Sequence, residues 1–219
     1  MIVRVQKPDA EVWVDHTPGN IRFGLTLHRT FPEARFLHLV RDGRAVAASV
    51  LPLDWGPNSA GESGVYWATQ LAAGFALQNA LGPDVVQEVR YEDLVRDPAG
   101  TLAAVCDFLS IAYRDDMVQA RDYRVGAYET EQQRLVAGPP QPGRIEAWRE
   151  ELTMRQIRDF ERTTGELLEY LGYPLVLGAA ARRPSRTEHL ATMLASNGRR
   201  WTLDKVRFNR RIARSRRSP

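Results

Sequence analysis

"FLHLVRDGRAVAAS", residues 36–49, decides how the rest of the chain is read. The mostly apolar run Phe36–Val40 ends on Arg41, and Asp42-Gly43 turns the chain. A helix of small residues follows, with Ser49 eight positions past Arg41. A strand running directly into a helix is the βα corner of an α/β layer. In such sheets ligands bind beyond the carboxyl ends of the strands. The helix start offers free backbone N–H groups and the positive end of a dipole, which together attract an anion. Arg41 adds a planar guanidinium that grips phosphate through two hydrogen bonds. Ser49 adds a hydroxyl, and Ala45 and Ala48 on its helical face leave room for a bulky ligand. The structural alternative is an arginine paired with Asp42 or Glu33, beside a surface serine. Spacing alone leaves the two readings even.

Outward from that corner, apolar patterning predicts further elements. "EVWVD" (11–15) reads as a short buried strand and "HTPGN" as the loop leaving it. "IRFGLTLHRTF" (21–31) is helical and stops at Pro32. "RFLHLV" (35–40) is a strand and "RAVAASVL" (44–51) a helix. "WGPNSAGESG" (55–64) is a polar loop, and an Ala-rich helix over 65–82 closes at Gly82-Pro83. "VVQEVRY" (85–91) is another strand. Asp97-Pro98 supplies an N-cap and first-turn proline for a helix over 99–109. Residues 122–147 are irregular. Thr153 and Gln156 form a capping box for the last helix of the body. Its buried face is Met154, Ile157, Phe160, Thr164, Leu167, Leu168 and Leu171, and Gly172 and Pro174 end it. A short helix between Ser185 and Asn197-Gly198 follows. Strands alternating with helices imply an α/β layer with a parallel sheet. No internal repeat is visible.

Composition sets the outer bounds. With 43% hydrophobic and 26% charged residues, 219 residues make one globular domain or one domain plus an appendage, not a disordered chain. Cys106 is the single cysteine, which excludes an internal disulfide and a cysteine-built metal site. It shares an apolar stripe with Leu102, Val105 and Leu109 and reads as a small buried hydrophobe. The four histidines have no metal-ligand spacing. No stretch is long and apolar enough for a membrane span, and the start is no signal peptide, so the cytoplasm is the expected compartment. Charge is uneven: residues 182–219 carry twelve Lys/Arg against Glu188 and Asp204, in a chain of net charge +3. Such a tail suits a polyanion or an anionic membrane surface ahead of nucleic acid, with a plain solvated tail as the default.

Several segments in register carry a resemblance. "FPEARFLHLVRDGRAVAASV" is similar to the 3′-phosphate-binding segment of sulfotransferases that use 3′-phosphoadenosine 5′-phosphosulfate (PAPS). "WVDHTPGN" resembles their "DKTP" segment and "VRYEDLVRDPAGTL" their "RYEDL" strand-to-helix corner. "PGRIEAWREEL…FERTTGELLEYLGYP" resembles their C-terminal region. The likeness runs from Val12 to Pro174 and points to the bacterial and tyrosylprotein members. It implies a P-loop-NTPase-like fold, with a parallel sheet flanked by helices. It implies that Arg41 and Ser49 hold the 3′-phosphate, that Tyr91 contacts adenine, and that Gly143 with Arg144 approaches the nucleotide. His16 stands where "DKTP" has lysine. There it supplies charge to the moving sulfuryl group or acts as a general base. Glu92 and Asp93 read as caps of the following helix.

Departures from the family shape the expectation. Its first strand and phosphosulfate-binding loop normally lie tens of residues before "DKTP", and carry the usual catalytic glutamate. None of the eleven residues before "VWVDHTPGN" resembles that loop, and no G-x-x-x-x-G-K-[ST] occurs. The expectation is a partial, N-terminally truncated domain over 1–178 with a basic helical or disordered tail over 179–219, and a chain that is by itself a poor enzyme. The implied reaction is sulfuryl transfer from PAPS to a hydroxyl or amine, with no metal. The acceptor is a small molecule, glycan or peptide; loops 54–64 and 126–143 are the places for it. Alternatives are a non-catalytic nucleotide-binding fragment, a polyanion-binding protein, and a kinase-like domain, which would need the absent Walker A loop.

Overall fold

A computed structural model describes residues 12–53, 56–119, 140–178 and 206. Strands β1 (Phe36–Val40) and β2 (Val86–Arg90) pair in parallel, with Phe36 opposite Val86 and Val40 opposite Arg90. Parallel neighbours require a crossover. Helices α2 (Gly43–Val50) and α3 (Ala60–Leu81) supply it. Helix α1 (Gly24–Thr30) precedes β1. After β2 come α4 (Tyr91–Arg96) and α5 (Pro98–Leu109), with Asp97 accepting from the Gly100 N–H as the N-cap of α5. Helices α6 (Trp148–Glu151) and α7 (Met154–Tyr170) complete the described chain. This is the α/β layer with a parallel sheet flanked by helices that the alternation of patterns predicts.

The core lies where α2, α3 and α7 meet the sheet. Val40, Ala47, Trp67, Leu71, Trp148, Ile157, Phe160 and Leu168 are buried there. Each large apolar side chain contributes about 1.5–3 kcal/mol by leaving water. The capping box at Thr153 and Gln156 forms as predicted. Gly82 and Gly172 both have φ 81° and end α3 and α7, the left-handed geometry that glycine adopts without strain. Cys106 is buried, its Sγ 3.7 Å from Met117 Sδ.

Several expectations are corrected. The "EVWVD" strand does not form over residues 12–15, which are irregular, with Trp13 and Val14 exposed. Strand propensity is expressed only where a neighbour pairs and a face is buried, and no described residue offers that pairing. Helix α3 begins at Ala60, inside the supposed polar loop, with Ser59 accepting from the Glu62 N–H. Ala60, Ser63 and Gly64 are buried, Gly64 against Thr164 and Phe160 of α7, so tertiary packing overrides the loop-like composition. On α7, Met154 is exposed and Glu161 is buried instead. Asp42-Gly43 makes no glycine turn: Asp42 caps α2, accepting from the Arg44 N–H, and Gly43 is its first helical residue. Glycine is needed there for space, because a Cβ would lie 2.5 Å from both Phe160 and Trp67 ring atoms. The helix proposed after Ser185, the basic tail except residue 206, and residues 126–139 of loop 126–143 lie outside the described residues, whereas loop 54–64 is described from residue 56 onward.

Candidate functional site

The parallel register builds the site. Val40 lies opposite Arg90, so the next residues, Arg41 and Tyr91, leave the carboxyl ends of the two strands side by side. The Arg41 guanidinium lies over the Tyr91 ring, 4.0 Å from its centroid. The Trp67 indole N–H donates to the Arg41 carbonyl at 3.1 Å and fixes the corner. Arg41 Nη2 donates to the Arg144 carbonyl across a long 3.4 Å, while buried Nε has no partner. No carboxylate pairs with Arg41 among the described residues. Burial therefore pulls its guanidinium below the ordinary value, against the opposing pull of Tyr91 and Glu92, and Arg144 adds to the depression.

Arg44, three residues on, is the opposite case. Its Nε and Nη2 donate to the two Asp42 carboxylate oxygens, at 3.0 and 2.8 Å. Nη1 donates to Glu161 Oε1 at 2.7 Å and to the Pro174 carbonyl at 2.9 Å. Trp148 covers its face at 4.1 Å. Burial pulls this guanidinium down, yet Asp42 and Glu161 outweigh it and hold the group above its ordinary value. The structural ion pair expected as the alternative for Arg41 thus exists, but Arg44 makes it. Glu161 also accepts from the Val176 and Leu177 N–H groups, tying the end of the body to α7.

The other predicted residues fall in different places. Arg144 joins the cluster at Arg41 through its backbone, while its side chain pairs with Glu151 at 2.6 Å. Gly143 is exposed in the 3₁₀ turn Pro142–Arg144, and a Cβ there would meet nothing within 4 Å. Ser49 is exposed on α2, its hydroxyl donating to the Ala45 carbonyl at 3.0 Å. Ala45 and Ala48 are packed into the core and do not open room for a ligand. His16 is exposed in the irregular stretch before the 3₁₀ turn Pro18–Phe23. Asp15 does not orient it by hydrogen bond but accepts from the Thr17 N–H at 2.9 Å. No described hydrogen bond or ring contact joins His16 or Ser49 to Arg41. Glu92 is no helix cap: its two oxygens accept from the Asp42 N–H and the Tyr173 hydroxyl, at 3.0 and 3.1 Å.

Reading the sequence missed Arg44, Glu161, Trp67 and Trp148. One signal was available. The spacing Ile157, Phe160, Glu161, Thr164, Leu168 puts Glu161 on the apolar face of α7, and a buried acid needs a cation. Beside the Arg44 network a cleft of about 250 Å³ is lined by Arg90, Arg96, Arg149, Glu92 and Tyr173, without Arg41.

Comparison with known proteins bears directly on this corner. The profile of the sulfotransferase family matches residues 1–115, more than half the chain and all of β1, α2, α3 and β2. The chain belongs to the sulfotransferase family. The chain is 36% identical over 106 residues to carbohydrate sulfotransferase 2 of Mus musculus, and equally to that of Homo sapiens. The alignment takes in 46% of this chain and 20% of the mouse protein. It superposes on the sulfotransferase domain from the Synechococcus PCC 7002 olefin synthase with TM-score 0.63 and 27% identity. That covers 80% of this chain and 64% of the other. The sulfotransferase domain from the curacin biosynthetic pathway gives TM-score 0.62 over 80% of this chain and 66% of the other, at 18% identity, a likeness of fold. The chain thus spans a fifth of the matched carbohydrate sulfotransferase and about two thirds of each structural neighbour. Among its described residues no helix is long and apolar enough to cross a membrane, and no cluster of His, Cys, Asp and Glu could hold a metal.

Proposed function

We propose that this chain binds PAPS through its 3′-phosphate at Arg41 and serves sulfuryl transfer to a hydroxyl or amine. Arg41 carries the reading. It is a mostly buried cation, no described carboxylate pairs with it, and one of its donors is unpartnered. A buried charge without a counter-ion is costly, so a site of this kind fits an anion that arrives from outside. Ser49 would turn its hydroxyl from the Ala45 carbonyl to a phosphate oxygen. Bound PAPS supplies an activated sulfuryl group whose displacement resembles phosphoryl transfer, driven by positioning and by positive charge. His16 at the reacting centre and Gly143 at the nucleotide are assigned by family resemblance. The name of the mouse relative makes a sugar hydroxyl the first acceptor to try.

The test is calorimetry with adenosine 3′,5′-bisphosphate. Arg41→Ala weakens binding by about 2–4 kcal/mol, the loss typical of one side of a charged pair. Ser49→Ala costs about 1 kcal/mol. A folded Arg41→Ala protein that binds as tightly as the parent overturns the site.

A further inference from the structure

The two arginines of "RDGR" are held in matching ways with one difference. Each guanidinium lies on an aromatic ring, Arg41 on Tyr91 at 4.0 Å and Arg44 on Trp148 at 4.1 Å. A guanidinium donates its five N–H bonds in its own plane, whereas a ring touches only its face. Around Arg44 that plane is filled by Asp42, Glu161 and the Pro174 carbonyl. Around Arg41 it holds one long bond, to the Arg144 carbonyl, and Nε is unpartnered. An aromatic support therefore steadies Arg41 without consuming the donors that an anion needs; a carboxylate support would consume them.

We propose that Tyr91 is a positioning residue: it acts through Arg41, holding the guanidinium flat at the strand ends and leaving in-plane donors for phosphate that a carboxylate support would take. This rests on the reading that Arg41 binds the nucleotide. It assigns Tyr91 a role different from the adenine contact implied by family resemblance. The register makes the arrangement reproducible. Tyr91 opens α4 directly after β2, and its neighbour Glu92 accepts the Asp42 N–H, locking the two corners together. Tyr91 has one ring face on Arg41 whether or not a base lies near.

Two probes separate the roles: adenosine 3′,5′-bisphosphate, which has a base, and inorganic pyrophosphate, which has none. Both are titrated calorimetrically into the parent, Tyr91→Leu, Tyr91→Phe and Arg41→Ala proteins and into the double variant Tyr91→Leu/Arg41→Ala. Loss of the ring face weakens both probes by the same factor, about 3- to 30-fold, the range for a cation–π contact. Tyr91→Phe, which keeps the face and drops the hydroxyl, stays within about twofold of the parent. In the Tyr91→Leu background Arg41→Ala costs less than in the parent, because the two changes remove one arrangement. Circular dichroism confirms folding, and Tyr91→Met replaces Tyr91→Leu if the latter does not fold. Weakened adenosine 3′,5′-bisphosphate binding with pyrophosphate binding unchanged overturns the proposal and returns Tyr91 to the base. Strictly additive losses overturn it too. If Arg41→Ala leaves both probes unaffected, the nucleotide reading itself falls, a result distinct from the other two.

Discussion

At the scale of single residues, neighbouring arginines of identical chemistry have been given different work by what lies in their plane. Arg44 is 1% exposed and shares its charge with Asp42 and Glu161, which are nearly as buried. Removing such a cation leaves two carboxylates in the interior without compensation. Arg44→Met therefore destabilises the protein by about 3–5 kcal/mol, a large part of a domain's total stability. Arg44→Lys recovers only a fraction, because a point-charge ammonium cannot reproduce the fork on Asp42 while also reaching Glu161. Urea unfolding reads both variants. A loss below about 1 kcal/mol for Arg44→Met would show that solvent reaches the network after all. Arg41 has no such partners among the described residues, and its substitution is expected to weaken ligand binding far more than folding.

At the scale of elements, α2 is placed by an absence of side chain. Gly43 lets the first turn of α2 rest against Trp67 of α3 and Phe160 of α7, with no room for a Cβ. Alanine is the better helix former by roughly 1 kcal/mol. Here that gain is outweighed, because overpacking a filled core typically costs about 1–3 kcal/mol. Gly43→Ala is therefore net destabilising in urea. It also lowers nucleotide affinity, since Trp67 holds the Arg41 carbonyl. A Gly43→Ala protein more stable than the parent would mean that the two rings move aside freely. Caps and helix ends, by contrast, are local matters. Thr153-x-x-Gln156, Asp97-Pro98, Gly82 and Gly172 do what their sequence signals predict, because each bond they make spans a few residues.

At the scale of the whole molecule, the sheet is joined to α3 through a buried histidine. His38 is on β1, across from Glu88 on β2, and packs into the space left by Gly74, against the edge of Phe75 and beside Gln78. Burial lowers its pKa below the ordinary 6.5, with Glu88 and Gln78 opposing. The folded state thus binds fewer protons than the unfolded state in the window just below 6.5, and stability rises with pH through it. That contribution is full above the unfolded value and is lost as pH falls toward the folded one. The urea midpoint of the parent is expected to drop between pH 7.5 and 5.5 more steeply than that of His38→Leu. Equal slopes would show that His38 charges as easily inside the fold as outside it.

The sequence by itself determined the α/β class, the boundaries of β1, β2 and α5, the caps at Asp97 and Thr153 with the helix ends at Gly82 and Gly172, and the position of Arg41 at a strand's carboxyl end. These depend on short-range periodicity and on hydrogen bonds between near neighbours. Tertiary structure alone decided which residues face which. Parallel register brought Tyr91 under Arg41 across 50 positions of sequence, and α7 carried Glu161 to Arg44 across 117. Among the described residues it left "VWVD" without a strand to pair with, drew "AGESG" into a helix, and turned Ala45 and Ala48 into core. No local pattern encodes such outcomes, because each is settled by the free energy of burying one element against another that is distant in the chain.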